Sequence, residues 1–152
     1  KQATVDSTRQ AITLTKEIEP NDPPCLQMYY YIEHYADSFN IPRSYAFGLA
    51  HAETRYNGPF HWQYNHKQRS QSGAMGPMQI MPATAKSLEN GKSISVTQLR
   101  TDIKYNVRLS MKLVRKLYDK YNNWEVVFGA YNTGRPCINA YAKNIVSYEP
   151  KW

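Results

Sequence analysis

Apolar residues recur at helical spacing along most of this chain, and nowhere do they alternate over a length that a strand would need. That property restricts the 152 residues to a mainly α fold. The plainest case is Asp102 to Tyr121, where Ile103, Val107, Val114, Leu117, Tyr118 and Tyr121 fall on one side of a long amphipathic helix. Asn123 is a natural N-cap for a helix from Trp124 to Asn132, and Gly134 stands where a left-handed C-terminal cap is wanted. A helix containing Leu26, Tyr29, Ile32, Ala36 and Phe39 is expected near Cys25, another from Pro82 to Leu88, and a last one from about Ile138 to Tyr148. The length suits a single domain with one sizeable core. Residues 1–24 read as a separate polar tail or linker. They show a weak helical tendency around Ala11 to Ile18 and then the boundary-like Glu19-Pro20-Asn21-Asp22-Pro23-Pro24. The folded domain is expected over 25–152.

One helix carries an acid where an acid does not belong. The stretch from Pro42 to Glu53 reads as a helix opening on proline, which suits a first helical position. Ala46, Leu49 and Ala50 form a buried stripe at i, i+3, i+4, and Glu53 continues it at i+7. Burial disfavours the charged form and raises a carboxyl pKa, as a general acid near neutrality requires. The competing reading is an ordinary helix-end acid paired with Arg55 or His51.

The segments that follow favour chemistry. Gly73-Ala74-Met75-Gly76-Pro77-Met78-Gln79-Ile80-Met81-Pro82 makes a tight, irregular turn and then starts a helix. Taken in order, Glu53-Thr54-Arg55-Tyr56, Gly73 to Gln79, Ala130-Tyr131-Asn132-Thr133-Gly134 and Tyr141-Ala142-Lys143-Asn144-Ile145-Val146 resemble the soluble lytic transglycosylase family. The family pattern is Glu-Ser with an aromatic soon after, then G-A-x-G-L-M-Q, then A-Y-N-A-G, then a late tyrosine. The resemblance covers about residues 25 to 148 and implies a single mainly α, lysozyme-like domain of the goose-type lysozyme and transglycosylase kind.

What the resemblance implies about chemistry agrees with the acids present. Most glycosidases flank the scissile bond with two carboxylates. Here the other acids read as tail residues, helix surfaces, first turns or ends, and none accompanies Glu53 in a motif. A one-acid site favours substrate-assisted chemistry, and the resemblance implies cleavage of the bond between N-acetylmuramic acid and N-acetylglucosamine, with Glu53 acting as acid and then as base and leaving 1,6-anhydro ends. By position, Ser70 and Ser72 are expected to orient the acetamido group, and Met78 and Gln79 to line the sugar pocket. Tyr131 and Asn132 are expected near Glu53, and Tyr141 on the reacting sugar. No cofactor is implied. A lysozyme-type hydrolase and a low-turnover wall-binding module are the alternatives.

Several departures stand out. Thr54 replaces the family serine, Pro77 the leucine of G-L-M-Q, and Thr133 an alanine, while the connection from Gly134 to Tyr141 is short. The loop Asn57 to Ser72 is longer than the usual spacer, and long loops in small domains are often functional. Trp62 with His61 on that loop is expected to stack on sugar. His51, His61 and His66 do not make a zinc set, because His51 faces away from Glu53 on a 3.6-residue period.

The formal net charge of +7 points to a polyanionic partner. Nucleic acid and a carboxylate-bearing bacterial wall are both candidates, though no nucleic-acid motif or long basic run appears. The resemblance implies wall glycan strands as the partner, bound by a monomer. No apolar run is long enough to span a membrane. The chain opens on Lys1 without an initiator methionine, as a cleaved export signal or a trimmed sequence would leave it. The resemblance implies export to the periplasm or wall, with a secretion or conjugation apparatus among the settings. In an exported protein Cys25 and Cys137 could form a disulfide worth about 3–5 kcal/mol. Two unpaired thiols are the alternative, and their Cα separation decides.

Overall fold

The computed structural model describes residues 18–19 and 21–152. Seven helices follow one another among them: α1 (Pro24–Ser38), α2 (Arg43–Thr54), α3 (Pro82–Leu88), α4 (Val96–Thr101), α5 (Ile103–Tyr121), α6 (Trp124–Thr133) and α7 (Ala140–Val146). The only β pairing among these residues is two isolated bridges, Arg69 with Met75 and Met75 with Ile80. Most of the tail expected over residues 1–24, with its weak helical tendency, lies outside the described residues.

Helix α5 is the axle of the fold. Asp102 starts it by accepting from the Tyr105 N–H at 3.1 Å, and Asn122 ends it in a left-handed conformation. Val107, Met111 and Val114 enter the main core with α1, α2, α6 and α7. Leu109 enters a second, smaller core with Met75, Ile80, Ala85, Leu88 and Leu99. Tyr131 packs against both, so the seam between the cores runs beside it.

The helix boundaries follow from caps. Asn123 and Asn139 cap α6 and α7 through Val126 N–H at 3.2 Å and Ala142 N–H at 2.8 Å. The second cap makes α7 shorter than the expected Ile138 to Tyr148. Helix α4 was not legible beforehand, since a six-residue helix that buries only Leu99 shows no periodicity. On α1 the buried stripe is led by Cys25 and Met28, with Leu26 and Tyr29 half-buried. Fully burying Met28 and Ile32 contributes about 1.5–3 kcal/mol each.

Much of the aromatic content is spent inside. Trp124 stacks on Tyr118 and Phe128, and Trp152 packs edge-on to Phe47 and Tyr56. The expected disulfide is not present. Cys25 and Cys137 are free thiols on different neighbours: Cys25 Sγ bonds to Pro59 O at 3.2 Å, and Cys137 Sγ lies 3.5 Å from Thr133 Oγ1. No helix of the described residues is long and apolar enough to cross a membrane.

Candidate active site

Glu53 is the penultimate residue of α2. Pro42 sits one place earlier than expected, as the N-cap, and Arg43 is the first helical residue. Ala46, Phe47, Gly48, Leu49 and Ala50 are all buried, and the Glu53 carboxyl follows them inward. Burial pushes its pKa from 4.5 up to about 7, against the opposing effect of a hydrogen bond from Tyr141.

The end of α2 is held firmly. Arg55 adopts a left-handed φ of 60°, its N–H bonds to His51 O at 2.9 Å, and the Tyr56 N–H reaches back to Ala50 O at 3.4 Å. Tyr56 is fully buried, and its hydroxyl donates to Cys25 O at 2.8 Å, which pins the helix end to the start of α1. Neither residue of the competing reading pairs with Glu53. The Arg55 side chain is exposed, and His51 Nδ1 lies 3.2 Å from Tyr56 O.

Two glycines bring Tyr141 to the carboxyl. A Cβ on Gly48 of α2 would stand 2.8 Å from Tyr148 Cβ and 3.0 Å from Ile145 O, so only glycine lets the C-terminal end of α7 lie this close. A Cβ on Gly129 of α6 would overlap Cys137 O at 1.7 Å, where the short connection crosses the helix. In this setting the Tyr141 hydroxyl donates to Glu53 Oε2. Burial and the neighbouring carboxyl both hold the Tyr141 pKa up, so it remains a donor.

The Gly73–Ile80 turn forms the opposite side. Met75 and Ile80 exchange backbone bonds at 2.9 and 3.0 Å, and Gln79 between them adopts a left-handed φ of 55°. Strained non-glycine backbone of this kind concentrates at functional sites. The Gln79 amide nitrogen donates to Gly76 O at 2.9 Å and Gln68 O at 3.2 Å. Tyr131 places its one hydroxyl proton on Met78 O at 2.8 Å and accepts from Ser110 at 2.8 Å. Its ionisation is suppressed by burial first and then by Glu53, which puts it within electrostatic reach of the acid.

Met78 does not line an open pocket as expected. Its side chain is 0% exposed and fills the main core, so it supports the turn from beneath. Ser70 and Ser72 share a 3.0 Å hydroxyl contact at the base of the same turn, where Ser70 Oγ also accepts from the Ala74 N–H. Asn132 is exposed and bonded to Asn139 at 3.2 Å, a partner other than Glu53. Trp62 stands 64% exposed on the long loop. His61 is also exposed, while His66 turns inward to Thr101 O at 3.0 Å.

Two buried polar residues of α5 were missed. Asn106 takes the Met78 N–H at 2.8 Å and gives its amide protons to Met75 O and Leu99 O, and Ser110 fixes the Tyr131 hydroxyl. Both lie on the buried side of α5, so the signal was the one used for Glu53, a polar residue interrupting an apolar stripe.

The remaining described acids are engaged elsewhere or stand apart. Glu33 and Asp37 bind Arg43, Glu89 and Asp119 face arginines, and Asp102 caps α5. Among the described residues, no carboxylate other than its own contributes to the Glu53 shift.

Comparison with solved structures finds chains of similar fold. Lytic transglycosylase Slt of Pseudomonas aeruginosa, as an inactive glutamate-to-glutamine variant, matches 70% of this chain with 27% identity and a TM-score of 0.56. The 70 kDa soluble lytic transglycosylase of Escherichia coli matches 76% with 27% identity and a TM-score of 0.59. A complex of the 70 kDa soluble lytic transglycosylase with bulgecin A matches 76% with 28% identity and a TM-score of 0.57. The chain spans only 16–18% of the length of these proteins. Its fold is the mainly α, lysozyme-like fold of their matching part. The family model described as the transglycosylase SLT domain matches residues 30–151, and this chain belongs to that family.

Proposed function

We propose that this chain cleaves the β-1,4 bond between N-acetylmuramic acid and N-acetylglucosamine in peptidoglycan, and that residues 25–152 are the catalytic unit. The observation that carries the reading is the single buried carboxyl of Glu53, with a pKa of about 7, hydrogen-bonded by Tyr141. A carboxyl poised at that value gives up and regains a proton near neutrality.

In the first step protonated Glu53 transfers its proton to the glycosidic oxygen, and the bond to the muramic anomeric carbon breaks. The oxygen of the sugar's own 2-acetamido group bonds to that carbon and carries the developing positive charge. Glu53, now a carboxylate, takes the proton of the C6 hydroxyl, and O6 displaces the acetamido oxygen at the anomeric carbon. The products are an N-acetylglucosamine end and a 1,6-anhydromuramic end, Glu53 is reprotonated, and no water is consumed. Tyr141 steadies the carboxylate form by donating to it. Tyr131 and Gln79 hold the Gly73–Ile80 turn in place beside the sugar, and the exposed Trp62 supplies a face for a sugar ring. Ser70 and Ser72, whose hydroxyls pair at the base of the turn, orient the acetamido group.

The formal net charge of +7 draws the protein toward the carboxylate-bearing wall, and action outside the cytoplasmic membrane belongs to the same proposal. The test is clearance of purified walls by Glu53→Gln. In the Pseudomonas aeruginosa relative a glutamate-to-glutamine change gives an inactive protein. The same change at Glu53 should lower turnover at least about 10²-fold, and retained clearance would remove Glu53 from the mechanism. For Trp62→Ala a raised KM with intact kcat is expected; unchanged glycan binding and turnover would exclude the stacking role.

A further inference from the structure

The loop from Asn57 to Ser72 reaches back to the end of the Glu53 helix. Tyr64 is only 6% exposed, and its hydroxyl lies 2.6 Å from Thr54 Oγ1. Thr54 is the last residue of α2, next to Glu53, and is itself 3% exposed. Its hydroxyl lies 2.8 Å from Pro77 O and 3.4 Å from Ala50 O, so its one proton goes to Pro77 and Tyr64 is the donor to Thr54. Two protons thus join three oxygens in a line from the loop, through the helix end, to the turn that carries Gln79. Gln68 doubles the brace. Its side-chain nitrogen donates to Thr54 O at 3.2 Å, while its backbone oxygen accepts from Gly76 N at 2.8 Å and from the Gln79 amide.

The chemistry of the parts favours a fixed geometry. A β-branched threonine has few χ1 choices, and here its hydroxyl both donates and accepts inside the protein. A buried hydroxyl stripped of its partner costs more than the bond contributed, so removing Tyr64's oxygen would unsettle Thr54 itself. Thr54 cannot move without moving the carboxyl beside it.

We propose that Tyr64 is a positioning residue for Glu53. Its hydroxyl, acting through Thr54, holds the last turn of α2 against the Pro77 turn, so that the Glu53 carboxyl meets the sugar chain at a set distance and stays out of water. The inference rests on Glu53 being the acid. The titratable groups that face Glu53 among the described residues are Tyr131 of α6 and Tyr141 of α7, both neutral near pH 7. Tyr64 influences it only through the clamp.

The experiment compares pH profiles of wall cleavage for the parent, Tyr64→Phe, Thr54→Val, the double variant, and Ser95→Ala. The last removes the α4 N-cap and serves as a stability control away from Glu53. For Tyr64→Phe, kcat should fall about tenfold with KM nearly unchanged, because a misplaced acid loses rate and not binding. Water reaching the carboxyl should move the alkaline limb of the profile down by about half a pH unit or more. Thr54→Val should do the same, and the double variant should be no worse than the poorer single, since the two act as one unit. An unmoved alkaline limb, or a loss of kcat no larger than that of Ser95→Ala at equal loss of Tm, overturns the proposal. An inactive parent would overturn the transglycosylase reading and this inference with it, whereas an active parent with an unchanged Tyr64→Phe profile overturns this inference alone.

Discussion

Tyr141 donates its hydroxyl proton to Glu53 Oε2 across 88 residues of sequence. The contact joins the end of α2 to the first turn of α7, and it exists because Gly48 and Gly129 allow two close crossings nearby. It also sets the acid. Burial alone would drive the Glu53 pKa higher, and the tyrosine pulls it back to about 7.

A raised carboxyl pKa is a cost to folding at neutral pH. Below pH 4.5 both folded and unfolded Glu53 carry a proton, and the group is neutral to stability. Between 4.5 and about 7 the unfolded chain releases a proton that the folded protein keeps, so stability falls as pH rises through this window. The shift corresponds to roughly 3 kcal/mol above pH 7. Glu53→Gln should therefore melt higher than the parent at pH 8 and equally at pH 4. Equal melting at both pH values would contradict the burial of the charge.

Removing the tyrosine should separate rate from acidity. Tyr141→Phe takes away the bond that lowers the Glu53 pKa, so the alkaline limb of kcat/KM should move to higher pH. The rate at the optimum should fall by about ten- to a hundredfold, because the carboxylate formed in the first step loses its donor. A limb that stays in place or moves downward would count against this role for Tyr141.

The crossing at Gly129 admits no side chain. With Cys137 O at 1.7 Å from an added Cβ, Gly129→Ala must displace the connection that leads to Tyr141. Overpacking of this kind costs about 1–3 kcal/mol. Both Tm and wall cleavage should drop, and thermal melting with a turnover assay reads the two together. A variant with parental Tm would show that the connection is free to move.

The cysteines give a simpler prediction. Cys25 and Cys137 are unpaired and bonded to different neighbours, so a thiol reductant should leave Tm and activity unchanged, and both thiols should be titratable after unfolding. A clear loss of Tm on reduction would require a disulfide and a different path for the C-terminal connection.

Much of the helical plan was legible, because it rests on local rules. Asn123, Gly134 and the Ile103–Tyr121 stripe announce their elements through capping and period alone. Glu53 was legible for the same reason, as an acid on an apolar stripe. What escaped depends on direction and on distant partners. Motif position located Met78 in the turn but not the way its side chain points, which is into the core. Asn106 and Ser110 interrupt an apolar stripe as Glu53 does, but their partners, like that of the loop residue Tyr64, lie on other segments and no local rule names them. Whether two cysteines meet is set by the whole fold, and spacing does not carry it.

The most direct test is mass spectrometry of the soluble products released from purified peptidoglycan, with and without borohydride reduction. Muropeptides lighter by one water than hydrolysis products and unchanged by borohydride are expected, the mark of anhydro ends made by Glu53 as acid and base. Products of full hydrolytic mass that borohydride reduces would contradict it and place a water, not the C6 hydroxyl, at the anomeric carbon.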